Sequence, residues 1–158
     1  MKKKLLILLS VVLVIAVGMF ALKTYTKSFS PESEVTYNKD GVDVHVIYGR
    51  PSKKGRFIFG REQDKALVPY DKVWRTGANE ATIVEFKSNV SFGGKEVKTG
   101  KYSLWTIPGP GSWKVILNSE TGQWGTNYND GKNVLQVEVP IRVRQQKQEI
   151  FTIYLEEL

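Results

Sequence analysis

The chain has 158 residues, 41% of them hydrophobic, with no cysteine and one histidine, His45. That length supports one domain with a real core, and the composition excludes disulfides, thiolate chemistry, a lipidated N-terminal cysteine and any site built on two imidazoles. The net charge of +7 does not mark a nucleic-acid protein: residues 1–30 hold five lysines and no acid, leaving 18 basic against 16 acidic residues in 31–158, whereas a nucleic-acid domain carries its excess on the folded part.

In chain order, Lys2, Lys3 and Lys4 precede an uncharged run from Leu5 to Leu22, interrupted only by Ser10 and Gly18. As a helix this run spans about 27 Å, close to the hydrocarbon thickness of a bilayer. It is apolar on all faces, which excludes an amphipathic helix of a soluble core. The favoured reading is an uncleaved anchor over 5–22. A signal peptide cut after Ala16-Val17-Gly18 is the alternative, but the apolar run continues past that point through Met19-Phe20-Ala21-Leu22. The three lysines before the run outnumber Lys23 and Lys27 after it, which orients residues 1–4 to the cytoplasm and the rest to the periplasm. The expected location is therefore the inner membrane, crossed once; cleavage would give a secreted protein. Residues 23–34, with Ser28, Ser30, Pro31 and Ser33, read as a polar tether before a domain over 35–158.

From Glu34 onward the pattern has period two. Val42, Val44, Val46 and Tyr48 alternate with Asp43, His45 and Ile47. Further strands are expected at 82–86, 90–92, 96–97, 102–107, 113–117, 134–139 and 150–155, most of them rich in β-branched and aromatic residues. Gly93-Gly94 signals a two-residue hairpin, and Thr99-Gly100, Pro108-Gly109-Pro110-Gly111 and Asn129-Asp130-Gly131 signal further turns. The only short helical candidate is Arg61–Leu67. About eight short strands predict an all-β fold, an antiparallel sandwich of jelly-roll-like form or a flattened barrel. The last strand pattern, Ile150–Leu155, is expected to pair inside the sheet or to form a bare edge.

Three clusters can carry chemistry. Arg50, Lys53, Lys54 and Arg56 lie within seven residues beside Pro51 and Gly55, suiting a loop that receives an anion, a solvated charged loop, or one drawn to anionic lipid. In Val73-Trp74-Arg75-Thr76-Gly77-Ala78-Asn79-Glu80-Ala81-Thr82, the side chains of Arg75, Asn79 and Glu80 can converge on a polar ligand with Trp74 as platform. The competing reading makes Trp74 core, pairs Arg75 with Glu80 or Glu85, and turns the chain at Asn79 in the left-handed region. A buried, paired Arg75 predicts a loss of about 3–5 kcal/mol on truncation, and a ligand-facing one less than about 1 kcal/mol. The third cluster is aromatic: Tyr102, Trp105, Trp113, Trp124 and Tyr128. Tyr102 and Trp105 differ by three and face opposite sides of a strand, so one can be core and the other exposed, and Gln123–Asn129 reads as an ordered loop around Trp124 and Tyr128 that suits sugar or peptide recognition or a loop pinned by its rings.

No nucleophile elbow or calcium loop is present, and no metal or cofactor is expected. His45 beside Asp43 is the one imidazole available as a general base.

The runs Tyr48-Gly49-Arg50-Pro51, Lys54-Gly55-Arg56, Leu67-Val68-Pro69-Tyr70, Val73–Thr82, Gly100-Lys101-Tyr102-Ser103-Leu104 and Gln123-Trp124-Gly125 occur here in that order. Over residues 35–155 this resembles the exported bacterial proteins grouped as domain of unknown function 2911. The resemblance implies a β-rich extracytoplasmic domain and brings no activity with it. Family members usually carry an ordinary signal peptide, and many continue past the position of Leu155. The combined expectation is an envelope module binding a small molecule, glycan or protein through Arg50, Arg56, Arg75, Asn79, Glu80 and Trp124. Two alternatives stand beside it: a hydrolase-like enzyme using Glu80 with His45 or Arg75, and a purely structural envelope protein.

Overall fold

A computed structural model describes residues 2–157. The apolar run lies in one helix, α1 (Lys2–Ser28), none of whose residues is buried. Ser10, Thr24, Thr26 and Ser28 each donate a side-chain hydrogen bond to a carbonyl three or four residues back, so Ser10 presents no unsatisfied hydroxyl within the apolar run. The stretch 23–34 is largely ordered: α1 continues to Ser28, and the first strand begins at Glu32.

The strands are β1 (Glu32–Lys39), β2 (Val42–Gly49), β3 (Phe59–Gly60), β4 (Val68–Pro69), β5 (Thr82–Phe86), β6 (Val90–Phe92), β7 (Lys95–Val97), β8 (Gly100–Ile107), β9 (Ser112–Asn118) and β10 (Asn133–Pro140). Six of them form one sheet in the order β1-β2-β5-β8-β9-β10, every neighbouring pair antiparallel. The β1–β2 turn is Asp40-Gly41, both at positive φ (52° and 80°), the backbone twist that a tight hairpin needs. Gly93-Gly94 forms the expected β6–β7 hairpin, at φ 56° and 78°.

Period-two burial explains the packing. Val44, Val46 and Tyr48 of β2, Val84 and Phe86 of β5, Leu117 of β9, and Leu135 and Val137 of β10 bury on one face, together with Val97. Burying each such side chain contributes about 1.5–3 kcal/mol. The β6–β7 hairpin lays Val90 and Phe92 on this face, and the C-terminal segment adds Phe151, Ile153 and Leu155. These two pieces make a partial second layer, so the fold is sandwich-like. The sheet is open, with β1 and β10 as separate edges, which removes the flattened-barrel alternative. On the opposite face Trp105, Ile116 and Ala81 form a smaller core capped by Tyr128. Tyr102 and Trp105 do face opposite sides; Tyr102 packs against the main cluster rather than standing exposed.

Two expectations are corrected. Arg61–Leu67 yields only a three-residue 3-10 turn, Glu62–Asp64, stopped by Lys65 in the left-handed region at φ 55°. Ile150–Leu155 is extended but joins no ladder beyond one bridge, Ser52 to Ile150. Its alternate side chains reach the core, while its backbone groups find other partners. The Phe151 amide donates to Pro51, the Ile153 amide donates to the Tyr48 hydroxyl, and the Phe151 carbonyl accepts from Arg50. The segment is a strap across the sheet face, neither an inner strand nor a bare edge.

Candidate functional site

The stretch Val73–Thr82 is a chain reversal held on all sides. Trp74 and Thr106 exchange backbone hydrogen bonds of 2.7 and 2.9 Å, tying the stretch to β8. The Trp74 indole donates to the Gly77 carbonyl at 3.1 Å, and the Thr82 hydroxyl donates to the Thr76 carbonyl at 2.7 Å. Thr76 and Asn79 take φ values of 53° and 66°, so Asn79 occupies the left-handed turn position that its side chain tolerates. Two glycines admit a close approach: a Cβ on Gly49 would lie 2.3 Å from the Ala78 carbonyl oxygen, and one on Gly77 2.9 Å from the Gly49 oxygen. A third, Gly125, lies under Arg75, where a Cβ would meet the Arg75 Cδ at 2.2 Å. The separate runs Tyr48–Pro51, Val73–Thr82 and Gln123–Gly125 therefore dock on one another.

Arg75 runs through this frame into a cleft of about 770 Å³. Its Nη1 donates to the Asn79 carbonyl at 3.0 Å. Burial lowers its pKa below the ordinary arginine value, with no carboxylate among the described residues opposing the shift. The expected pairing of Arg75 with Glu80 or Glu85 is not made. Glu80 instead meets Lys27 at 2.8 Å and Lys23 at 3.6 Å on α1. Glu85 lies 3.6 Å from Lys101 and 3.9 Å from His45.

The cleft floor is aromatic. Phe59 and Trp74 stack edge-on at 5.3 Å, Phe59 and Trp113 at 4.7 Å, and Trp74 and Phe151 at 5.2 Å. Around these rings stand Lys53, Arg56, Arg75 and Arg144, against one carboxylate, Glu149. That carboxylate already accepts from the Lys54 amide at 2.7 Å. An apolar floor under a cationic rim suits a molecule with an apolar body and an anionic group.

The structure brings three of the six expected residues to this cleft: Arg56, Arg75 and Asn79. Asn79 also borders a smaller hollow of about 180 Å³, with Glu80 and Lys27. Arg50 does not face the cleft space; its guanidinium donates to the Phe151 carbonyl at 3.3 Å and the Thr152 hydroxyl at 3.1 Å, holding the strap. Trp124 lines neither space and forms a single antiparallel bridge with Glu80. The loop around it is pinned by the Tyr128 ring against Trp105 at 4.9 Å.

Phe59 and Phe151, the ring neighbours of Trp74, and Arg144 on the cleft wall are not among the residues expected from the sequence. The apolar character of the two phenylalanines signals burial, but nothing local signals that three distant segments meet. The contacts required by a Glu80–His45 or Glu80–Arg75 pair are absent. His45 Nε2 lies 3.0 Å from Glu34, on the face of β2 opposite Val44 and Val46, while Glu80 is engaged by the two lysines.

No curated protein and no solved structure matches the chain. The model of the family described as "Protein of unknown function (DUF2911)" matches residues 30–158, and the chain belongs to that family.

Proposed function

Taking that family as the premise, we propose that the protein is a membrane-anchored, periplasm-facing binding module whose cleft takes an anionic amphiphile. Residues 5–22 hold it in the inner membrane, and the β domain over 35–158 presents the site. The anionic group pairs with Arg75, and the apolar body rests on Phe59, Trp74, Trp113 and Phe151.

One observation carries the reading. Arg75 is a half-buried cation with no carboxylate partner among the described residues, and it opens into an aromatic cleft. A guanidinium has five N–H donors; the Asn79 carbonyl takes one. Burying a charge without a counter-charge is costly, and an anionic ligand removes that cost on binding. The positive rim also favours encounter with an anion.

The test is a titration of tryptophan emission with decyl phosphate and, separately, with decanol. Decyl phosphate is expected to saturate at about tenfold lower concentration, and Arg75→Ala is expected to erase that preference. Equal binding of both probes, or no saturable change with either, would sink the reading. Location is tested separately. The chain lacks cysteine, so Ser91→Cys on the exposed β6 position gives a single thiol. It is expected to react with an impermeant maleimide in spheroplasts; labelling only after lysis would refute the orientation.

A further inference from the structure

The cleft is built against the end of the anchor. Ser30 lines it, two residues beyond Ser28, the last residue of α1. That end is clasped to the domain from several directions. Lys27 and Lys23 reach Glu80 at 2.8 and 3.6 Å. The Asn79 side-chain amide (Nδ2) donates to the Ser30 carbonyl at 3.1 Å, and the Arg50 backbone amide donates to the Pro31 carbonyl at 2.9 Å. The Lys54 ammonium lies 5.3 Å over the Phe29 ring. With the apolar run ending at Leu22, Ser30 stands about 10–12 Å beyond the hydrocarbon edge at roughly 1.5 Å per residue, a few ångströms outside a headgroup layer about 5–7 Å thick.

The surface at this end matches a lipid interface. Tyr25, Phe29, Phe57 and Leu67 are exposed beside the loop that carries Lys53, Lys54 and Arg56. Exposed rings interleaved with cations form the combination that settles at an anionic membrane surface. Lys53 and Arg56 also belong to the cleft rim, so the membrane-side surface and the cleft share residues.

Building on the amphiphile-binding reading, we infer that the cleft draws its ligand from the membrane: an anionic phospholipid of the leaflet from which α1 emerges. Its phosphate sits among Arg56, Arg75 and Arg144, and one acyl chain lies on the Phe59, Trp74, Trp113 and Phe151 floor. The contacts of Glu80, Asn79, Arg50 and Lys54 with the end of α1 hold the cleft mouth beside the membrane surface, so the lipid rises along its own axis into the cleft.

The experiment places the full chain in nanodiscs with acyl-brominated phosphatidylglycerol or acyl-brominated phosphatidylcholine and reads tryptophan quenching. All four tryptophans, Trp74, Trp105, Trp113 and Trp124, lie outside α1, so helix burial in the bilayer adds nothing to the signal. Brominated phosphatidylglycerol is expected to half-quench at about tenfold lower mole fraction than the choline lipid. Trp74→Phe with Trp113→Phe is expected to remove most of that quenching. Charge reversal at the exposed rim, Arg56→Glu, is expected to remove the preference for the anionic lipid while circular dichroism stays unchanged. Equal quenching by the two lipids, with decyl phosphate still saturating the same nanodiscs, overturns the lipid source and leaves the cleft reading standing. Failure of decyl phosphate as well overturns both.

Discussion

The main face of the sheet and the frame around the cleft solve different problems. On the sheet, burial follows a simple alternation: Val44, Val46, Val84, Phe86, Leu117 and Leu135 turn inward from strands paired in plain antiparallel register. Each residue needs only to be apolar and roughly the right size. Around the cleft little is regular. Gly49, Gly77 and Gly125 allow backbone and side chain to touch, Thr76 and Asn79 take left-handed conformations, and polar groups are satisfied one by one. The sheet tolerates exchange among apolar residues, whereas the frame demands particular residues at particular places. The difference teaches that the distinctive runs of the chain are a positioning device for Arg75 and the aromatic floor.

Substitutions can break this comparison, and the largest effects belong to the sheet. Trp105→Ala removes a side chain that is 1% exposed and whose indole donates to Ser103 at 2.8 Å; it is expected to cost about 3–5 kcal/mol in urea unfolding. Gly49→Ala forces a Cβ to within 2.3 Å of the Ala78 carbonyl oxygen. Backbone cannot yield as a flexible side chain can, so a loss of about 3 kcal/mol is expected by the same measurement. A change below about 0.5 kcal/mol would mean the frame is loose and the contrast with the sheet is false.

Arg50→Ala sharpens the comparison because it acts on the strap. Loss of the hydrogen bonds to Phe151 and Thr152 is expected to cost about 1.5–2 kcal/mol. Amide exchange should accelerate at Phe151 and Ile153 and stay unchanged at Leu117. Uniform acceleration across both sites would show that the strap and the sheet open as one unit.

The smallest expected effect is the clasp between the domain and α1. Burial pushes the Glu80 carboxyl up, but the Lys27 hydrogen bond, a hydrogen bond from the Glu80 backbone and the Lys27 and Lys23 charges outweigh it and hold it below the ordinary 4.5. Its contribution is therefore complete above that value and is lost as pH falls through the lower native value. The pair is partly exposed, so the stake is below about 1 kcal/mol. Between pH 7 and pH 3, a spin-label distance from α1 to the domain is expected to broaden, and Glu80→Gln should show the broad distribution already at pH 7. A distance unchanged by both acid and substitution would assign the clasp to Asn79, Arg50 and Phe29 instead.

Much of this was legible without a structure because it depends on neighbours along the chain. An uncharged, mostly apolar run from Leu5 to Leu22 makes a helix of membrane length whatever follows it. Val-Asp-Val-His-Val at residues 42–46 makes a strand with Val44 and Val46 inward and His45 on the other face, and Gly93-Gly94 makes a hairpin. The left-handed Asn79 also follows from local chemistry. The site required contacts between residues far apart in sequence. Only the folded chain brings Phe59, Trp74, Trp113 and Phe151 together, turns Arg50 from a candidate ligand contact into a clamp on the strap, leaves Arg75 without a carboxylate among the described residues and gives Glu80 to the lysines of α1. Local periodicity fixes which way a side chain points from its own strand. Which distant side chain it then meets depends on sheet order and close packing, which no local pattern encodes.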